Sequence, residues 1–407
     1  MKKVLKFVLK KISKKTLKKY HPKVIAVSGS VGKTSAKEAI FCLLRKFKRC
    51  RATPKNYNNE LGVPLAILGD WKEITSPTII FWLKVFLKSI WNLIFFDKNY
   101  PQILILELAA DRPGDIGYFM DFIKPDIGLI TAIGEVPSHI EFYPNLSSLA
   151  KEKAKIVEKL SSSGVAILNF DDPLVLSMKE KTKAKVITYG FNQGADFQIL
   201  NYQIEFNDNF KGTSMKFFSE GSLIPFRIRN AFGKPIVLAL AASFCVGVEE
   251  GLNLIEISNA LDDFSPPDHR MSLIKGIKNT WIIDDCYNAS PIAVKSALEV
   301  LDKIKGERKI VVLGDMRELG KYGYEAHFEI GKEAAKISDV LFFVGNYANI
   351  YESGVKESSL KREIYCFENS DKAKFKIQEV LKEGDIVLIK GSRAIKMEKI
   401  IEEIKYR

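Results

Sequence analysis

An α/β fold in two parts, each built on a mostly parallel sheet, is what this sequence predicts, and three observations predict it. The apolar run Val24-Ile25-Ala26-Val27 empties into Ser28-Gly29-Ser30-Val31-Gly32-Lys33-Thr34, and a helical pattern follows, with Ile40, Leu43, Leu44 and Phe47 at i, i+3, i+4 and i+7. Strand-like and helix-like runs then alternate at the spacing of βαβ units. Finally, Ser265-Pro266-Pro267-Asp268 interrupts the chain before a second such series. Two prolines cannot continue a helix and they stiffen a linker. The expectation is a basic helix over 1–23, a P-loop central domain with a mostly parallel sheet over 24–265, and a C-terminal Rossmann-like α/β domain over 266–407.

Size and composition allow this. The 407 residues have room for two or three domains, and 46% apolar with 27% charged residues reads as globular rather than disordered. The five cysteines (Cys42, Cys50, Cys245, Cys286, Cys366) form no CxxC pair, so reduced thiols are expected and a zinc ribbon is not. The net charge of +13 is concentrated, because residues 1–23 hold ten lysines and no acid. No long apolar core or small-residue cleavage site follows them, so this start is not read as a cleavable signal. Val4, Val8 and Ile12, with Leu5 and Leu9 beside them, give a helix with an apolar stripe and a lysine-rich face. Such a helix is a solvated arm, a nucleic-acid arm or a membrane-surface helix.

Residues 71–100 read as an apolar insertion. The stretch 77–96, PTIIFWLKVFLKSIWNLIFF, is about as long as a membrane span. However, Lys84, Lys88 and Asn92 recur every four residues as one polar stripe, and Trp82 and Trp91 favour the headgroup level. A helix lying in the membrane interface is expected ahead of one packed on the protein's own core, and both ahead of a span. Further strands are expected at 103–108, 127–132, 164–169 and 185–189, with an antiparallel excursion over 196–230 and a helical pair over 235–262. The second series places strands at 281–284, 309–313, 340–344, 363–367 and 385–389.

The chemistry starts at the glycine turn. Its glycines let backbone N–H groups converge on phosphate oxygens at Ser30 and Gly32, Lys33 neutralises their charge, and the Thr34 hydroxyl suits Mg²⁺. The spacing is shorter than G-x-x-x-x-G-K-[ST], but the strand before and the helix after support a nucleoside-triphosphate site. Asn56, Asn58 and Asn59 cluster in one hydrogen-bonding loop, Glu107 ends a buried strand as a plausible Mg²⁺ ligand, and His139 follows another strand end. In open α/β sheets ligands gather at that edge.

These residues sit in eight segments: SGSVGKTSAKE, NYNNELGVPL, LELAADRPGDIG, SHIEFYPNLSSLAKEKAKI, PPDHR, IIDDCYNASP, VVLGDMRELG and VLIKGSRAIKME. In that order they resemble the Mur ligase family, and within it the branch that adds D-alanyl-D-alanine to a UDP-linked muramoyl tripeptide. The resemblance covers about 24–407. It implies an ATP- and Mg²⁺-dependent ligase that activates a carboxylate as an acyl phosphate for attack by an amine, leaving an amide, ADP and phosphate. It implies Lys33 and Thr34 on phosphate and Mg²⁺, Glu107 on the metal, and His139 on a second Mg²⁺. The family's carbamylated lysine aligns best with Lys153, with Lys151 and Lys155 as neighbouring alternatives. Arg270 resembles the arginine that reaches the nucleotide phosphates when the domains close about the 265–268 hinge. Asp285 resembles the acid that binds the ribose or orients the hinge, and Lys390, Ser392 and Arg393 look like contacts for substrate or phosphate, as Asn58 and Asn59 do.

There are departures. Relatives of this branch carry an N-terminal domain that grips the UDP-sugar, and here 23 lysine-rich residues precede the first strand. The family's His-Asn-x-x-Asn is Lys234-Pro235-Ile236-Val237-Leu238, without the asparagine near adenine, and its Gly-Ala-Asn-His is Ala109-Ala110-Asp111-Arg112. The expected partners are therefore ATP, a muropeptide-like carboxylate acceptor and an amino acid or dipeptide amine. A lipid-linked, membrane-presented acceptor is the alternative. Peripheral contact with an anionic membrane at the cytoplasmic face, a monomer and no nucleic acid complete the expectation. A nucleic-acid motor would leave Asp284-Asp285-Cys286-Tyr287-Asn288-Ala289 unexplained, and an inactive homologue would not keep Lys33, Thr34, Glu107 and His139.

Overall fold

The protein is described by a computed structural model covering residues 2–54, 57–71, 78–305 and 308–406. Helix α1 (Lys2–Tyr20) leads into β1 (Lys23–Ser28), then α2 (Lys33–Leu44), β2 (Cys50–Ala52), α3 (Gly62–Leu68), α4 (Ile79–Ile94) and β3 (Ile103–Glu107). The chain continues through α5 (Asp115–Met120), β4 (Ile127–Ile130), α6 (Leu146–Glu158), β5 (Val165–Asn169), α7 (Pro173–Leu176) and β6 (Lys185–Gly190). Three strands, β7 (Phe197–Phe206), β8 (Lys211–Ser219) and β9 (Ser222–Arg229), extend this sheet before α8 (Lys234–Glu249) and α9 (Leu254–Leu261). The strand order is β2-β3-β1-β4-β5-β6-β7-β8-β9. Pairing is parallel as far as β7 and antiparallel beyond it. The fully buried runs of β3, β4 and β5 are what a parallel sheet covered on both faces requires.

The second sheet is built from β10 (Ser272–Lys275), β11 (Trp281–Asp285), α10 (Pro291–Lys303), β12 (Lys309–Gly314), α11 (Gly323–Ile337) and β13 (Val340–Val344). It ends with α12 (Ala348–Glu357), β14 (Glu363–Phe367), α13 (Ser370–Val380), β15 (Ile386–Lys390) and α14 (Glu398–Ile404). Its order is β10-β11-β15-β12-β13-β14, with β10 antiparallel on the edge. The antiparallel excursion expected over 196–230 holds β7, β8 and β9, with Pro225 in β9, whereas β10, four residues long, carries no mark in the sequence pattern.

Three expectations are corrected. Helix α2 ends at Leu44, so Phe47 lies in the following turn and is exposed; Ala36, Ala39, Ile40, Leu43 and Leu44 form the buried side. In α1 the buried side is turned away from Val4, which is exposed, to Leu9, Ser13 and Thr16. The cause is the neighbour: Leu9 packs with Tyr57, Leu65, Leu68 and Val85, against α3 and α4. In α4 the polar stripe is split, because Asn92 turns inward with Ser89 and Val85 while Lys84 and Lys88 stay outside. Asn56 and residues 72–77 of the expected insertion lie outside the described residues.

Candidate active site

Strand β1 delivers the glycine turn to the carboxyl edge of the sheet between β3 and β4. Gly29 has φ +146°, and a Cβ there would lie 1.9 Å from Thr131 Oγ1, so a side chain has no room. Gly32, at φ +88°, starts α2 without a side-chain cap, which leaves the first N–H groups and the positive helix end for an anion. In the same loop the Ser30 hydroxyl is buried without a partner among the described residues. Lys33 Nζ donates to Gly29 O (2.9 Å) and Ser30 O (3.3 Å). Desolvation lowers its pKa below the ordinary lysine value; Glu107 opposes this and Arg270 adds to it. Free donors, a cation and an orphaned hydroxyl fit a phosphate chain.

Beside the loop, buried Glu107 accepts from Thr34 Oγ1 (3.2 Å) and Asn58 Nδ2 (3.3 Å) on one oxygen, and its other oxygen lies 3.7 Å from Lys37 Nζ. A hydroxyl, a carboxylate and an amide are the hard oxygen-bearing groups that suit Mg²⁺. His139 sits past β4 at φ +70°. Its Nε2 is 3.4 Å from Asp111 Oδ1, and its Nδ1 is 2.5 Å from Glu318 Oε2 in the second domain. That contact holds the Glu318 carboxyl below the usual range. Of the three candidate lysines on α6, Lys151 is exposed and Lys155 pairs with Glu152 at 2.6 Å. Lys153 is 2% exposed and donates to Gly29 O at 2.8 Å, directly behind the P-loop. Burial, together with the charge of Lys33, holds its ammonium pKa well below the usual value.

The second domain closes the site. Arg270 lies on the Tyr287 ring, 4.2 Å from its centroid, and its Nη2 donates to Thr34 Oγ1 at 3.0 Å. Asp285 accepts from Met271 N (3.2 Å) and pairs with Lys390 Nζ at 2.5 Å, which fixes the segment carrying Arg270. One pocket brings together Ser30, Gly32, Lys33, Thr34, Asn58, Glu107, His139, Arg270, Asp285 and Lys390. A larger cleft of about 1170 Å³ opens beside Gly32, between Asn169 and Phe191 on one side and Ile292 and Lys295 on the other.

Two candidates, Asn59 and Ser392, find their partners in the chain's own backbone. Asn59 Oδ1 accepts from Leu61 N (3.1 Å) and Gly62 N (3.0 Å) at the start of α3. Ser392 Oγ accepts from Arg317 N (2.9 Å), whereas Arg393 pairs with Glu398 at 3.5 Å and lies beside the site, 5.9 Å from the centroid of the Tyr287 ring. Asn59→Ala is therefore expected to cost about 1 kcal/mol of stability, as a lost cap does. Thermal melting reads that loss, and a substrate KM that rises in the same variant would return Asn59 to the site. Sequence reasoning missed Lys37, Asp111 and Glu318. Lys37 is one turn from Lys33 on α2, an i, i+4 signal; the His139–Glu318 contact joins two domains and has no local signature.

Fold and site together define a nucleotide-dependent enzyme with its phosphate site between two α/β domains. Residues 91–246 match the Mur ligase middle domain, and residues 269–393 match the Mur ligase, glutamate ligase domain. The chain belongs to the Mur ligase family. It is 29% identical over 402 residues to the UDP-N-acetylmuramoyl-tripeptide–D-alanyl-D-alanine ligase of Bacillus subtilis (strain 168), covering 97% of this chain and 79% of that protein. The enzyme of the same name from Rickettsia prowazekii is 27% identical over 399 residues, covering 93% and 77%. Among solved structures, MurF ligase from Thermotoga maritima in complex with ADP superimposes with a TM-score of 0.79 at 26% identity, covering 98% of this chain and 83% of that one. MurF from Acinetobacter baumannii shares the fold with a TM-score of 0.80 at 23% identity, covering 98% and 80%.

Proposed function

We propose that this chain is an ATP-dependent, ADP-forming ligase that joins D-alanyl-D-alanine to a UDP-linked muramoyl tripeptide in peptidoglycan synthesis. The observation that carries the reading is Thr34. Its hydroxyl stands 3.2 Å from Glu107 and 3.0 Å from Arg270, so groups of both domains converge at the uncapped start of α2. The names of the relatives supply the substrates, and similarity over 97% of this chain favours a UDP-linked acceptor over a lipid-linked one. In the same reading the enzyme works in the cytoplasm as a monomer, in peripheral contact with the inner face of the membrane.

In this reading the start of α2, Ser30 and Lys33 hold the β- and γ-phosphates, and the larger cleft takes the adenosine. Thr34, Glu107 and His139 would hold Mg²⁺, which when bound neutralises phosphate charge. A carboxylate oxygen of the tripeptide attacks the γ-phosphorus, the bond to the β–γ bridging oxygen breaks, and ADP leaves. The dipeptide amine then attacks the acyl carbon and loses its proton, while the carbon–oxygen bond to phosphate breaks and phosphate departs. Arg270, steadied by Tyr287 and the Asp285–Lys390 pair, balances charge on the phosphoryl group in flight. The second domain over the site excludes the water that would hydrolyse the acyl phosphate.

The test is phosphate release by purified protein with ATP, UDP-linked tripeptide and D-alanyl-D-alanine. Release is expected only when all three are present. Equal use of a lipid-linked acceptor, or no release, refutes the reading. Glu107→Gln is expected to raise the Mg²⁺ concentration needed for half-maximal release by at least about tenfold, since it removes a charged ligand. An unchanged Mg²⁺ titration would take Glu107 out of the metal site.

A further inference from the structure

We infer that the outer face of α4 and the lysine face of α1 form one docking surface for an anionic lipid leaflet, with α4 lying in the plane of the interface. This deepens the peripheral-membrane reading by giving it residues, and it does not depend on the ligase chemistry.

Helix α4 is apolar on both sides, and only one of them is packed on the protein. The side turned to the protein carries Val85, Ser89 and Asn92, all buried, with Phe81, Trp82 and Phe86 partly buried against the same core. The side turned out carries Ile79, Leu83, Leu87, Ile90, Trp91 and Ile94, which are 49–88% exposed. Phe95 and Phe96 continue this patch and are half or more exposed. A contiguous exposed face of large apolar side chains, left over after the inner side is packed, marks an interaction surface rather than one built for water. Sixteen residues make a helix of about 24 Å, short of a hydrocarbon core of about 30 Å. Among the described residues no helix is long and apolar enough to cross a membrane. A helix of this length and pattern lies on a bilayer.

Charge decides what covers the face. Helix α1 is fixed alongside α4: Lys19 Nζ donates to the carbonyls of Asn92 (2.8 Å), Leu93 (3.1 Å) and Phe95 (2.8 Å), and the Tyr20 hydroxyl donates to Asn92 O (2.8 Å). Lys3, Lys11, Lys14, Lys15 and Lys18 are exposed on it, and residues 1–23 of the chain contain no acid. Val4 and Phe7 are exposed among them, and Lys84 and Lys88 flank the apolar side of α4. An apolar strip bordered by exposed lysines matches acyl chains beside anionic headgroups, with the lysine stems extending to water. A second copy of the chain would bring the same lysines against these and be repelled. The surface also adjoins the active site. Both helices pack on α3, and the loop entering α3 carries Asn58 to Glu107.

Vesicle flotation with the full chain tests the surface. The protein is expected to float with vesicles of equal parts phosphatidylglycerol and phosphatidylcholine at low salt, to release as salt rises, and to bind pure phosphatidylcholine far less. Trp91 fluorescence should shift to the blue on binding. Leu83→Glu with Leu87→Glu should lose binding by at least about tenfold. Lys14→Gln with Lys15→Gln should lose roughly fivefold per lysine on anionic vesicles. Both variants should keep phosphate release from soluble substrates, which separates failure of docking from failure of the ligase reading. Wild-type protein left in the supernatant with anionic vesicles overturns the inference. So does binding that survives the Leu83→Glu, Leu87→Glu change, or a dimer in solution that this change dissociates.

Discussion

Lys33→Ala is expected to lower ATP-dependent phosphate release by a factor on the order of 10³ while leaving the thermal unfolding midpoint nearly unchanged. The two halves of that expectation have separate causes. Activity falls because Lys33 carries the positive charge inside the glycine turn, with its ammonium held on the carbonyls of Gly29 and Ser30. Charge that develops on a transferring phosphoryl group loses its nearest counter-charge when the side chain is removed. The fold persists because Lys33 is the first residue of α2, where alanine is a good helix former. Stopped-time phosphate assays beside a melting curve separate the two effects. Wild-type release from Lys33→Ala would sink the ATP-ligase reading, whereas a collapsed melting curve would make the lysine structural.

The parts of the fold that were legible in the sequence are those where one local rule governs. Val24–Val27, Ile103–Leu106 and Val340–Val344 are apolar on both sides, so burial in a parallel sheet was the reading available to them. Gly29 and Gly32 announce the turn, because both adopt positive φ and one has no room for a Cβ. Helix rotation was less legible. In α1 the apolar residues occupy more than one side, and the choice of Leu9 over Val4 is made by the Tyr57, Leu65 and Val85 surface that α1 meets. The same holds for α4, where Asn92 looks like a partner of Lys84 and Lys88 by spacing but is turned inward. At the site, Lys33, Thr34 and Glu107 were legible because each ends or follows a strand. Ser392 and Asn59 have the residue types of ligand contacts, but their polar atoms are used by the backbone amides of Arg317, Leu61 and Gly62. A hydrogen-bonding side chain does not reveal from sequence whether its partner is a ligand or the chain itself.

Lys153→Ala is the second change expected to abolish turnover, and it tests a covalent state rather than a contact. Three lysines at alternate positions on α6 have the same sequence signature, and their surroundings divide them. Lys151 faces solvent, Lys155 is neutralised by Glu152, and Lys153 is buried against the P-loop carbonyl of Gly29. Burial, and repulsion from Lys33, hold the Lys153 ammonium pKa well below its usual value. Burial therefore favours the neutral amine, which is the form that adds carbon dioxide: a nitrogen–carbon bond forms, a proton is lost, and a carbamate results. The proposed modification turns a second cation beside Lys33 into an anion, which is what a metal-phosphate site needs there. Lys153→Ala should lose activity by about the same factor as Lys33→Ala, and acetate or formate should restore part of it by supplying a free carboxylate. Lys155→Ala should remain active, because its loss leaves the P-loop untouched. Carbon-13 bicarbonate should give a carbamate signal in wild-type protein that Lys153→Ala lacks. Because Lys33 helps to depress the Lys153 pKa, Lys33→Ala should weaken that signal at a given pH, since a less depressed amine is protonated more. Full activity in Lys153→Ala, or a carbamate signal that persists in it, would remove this lysine from the mechanism.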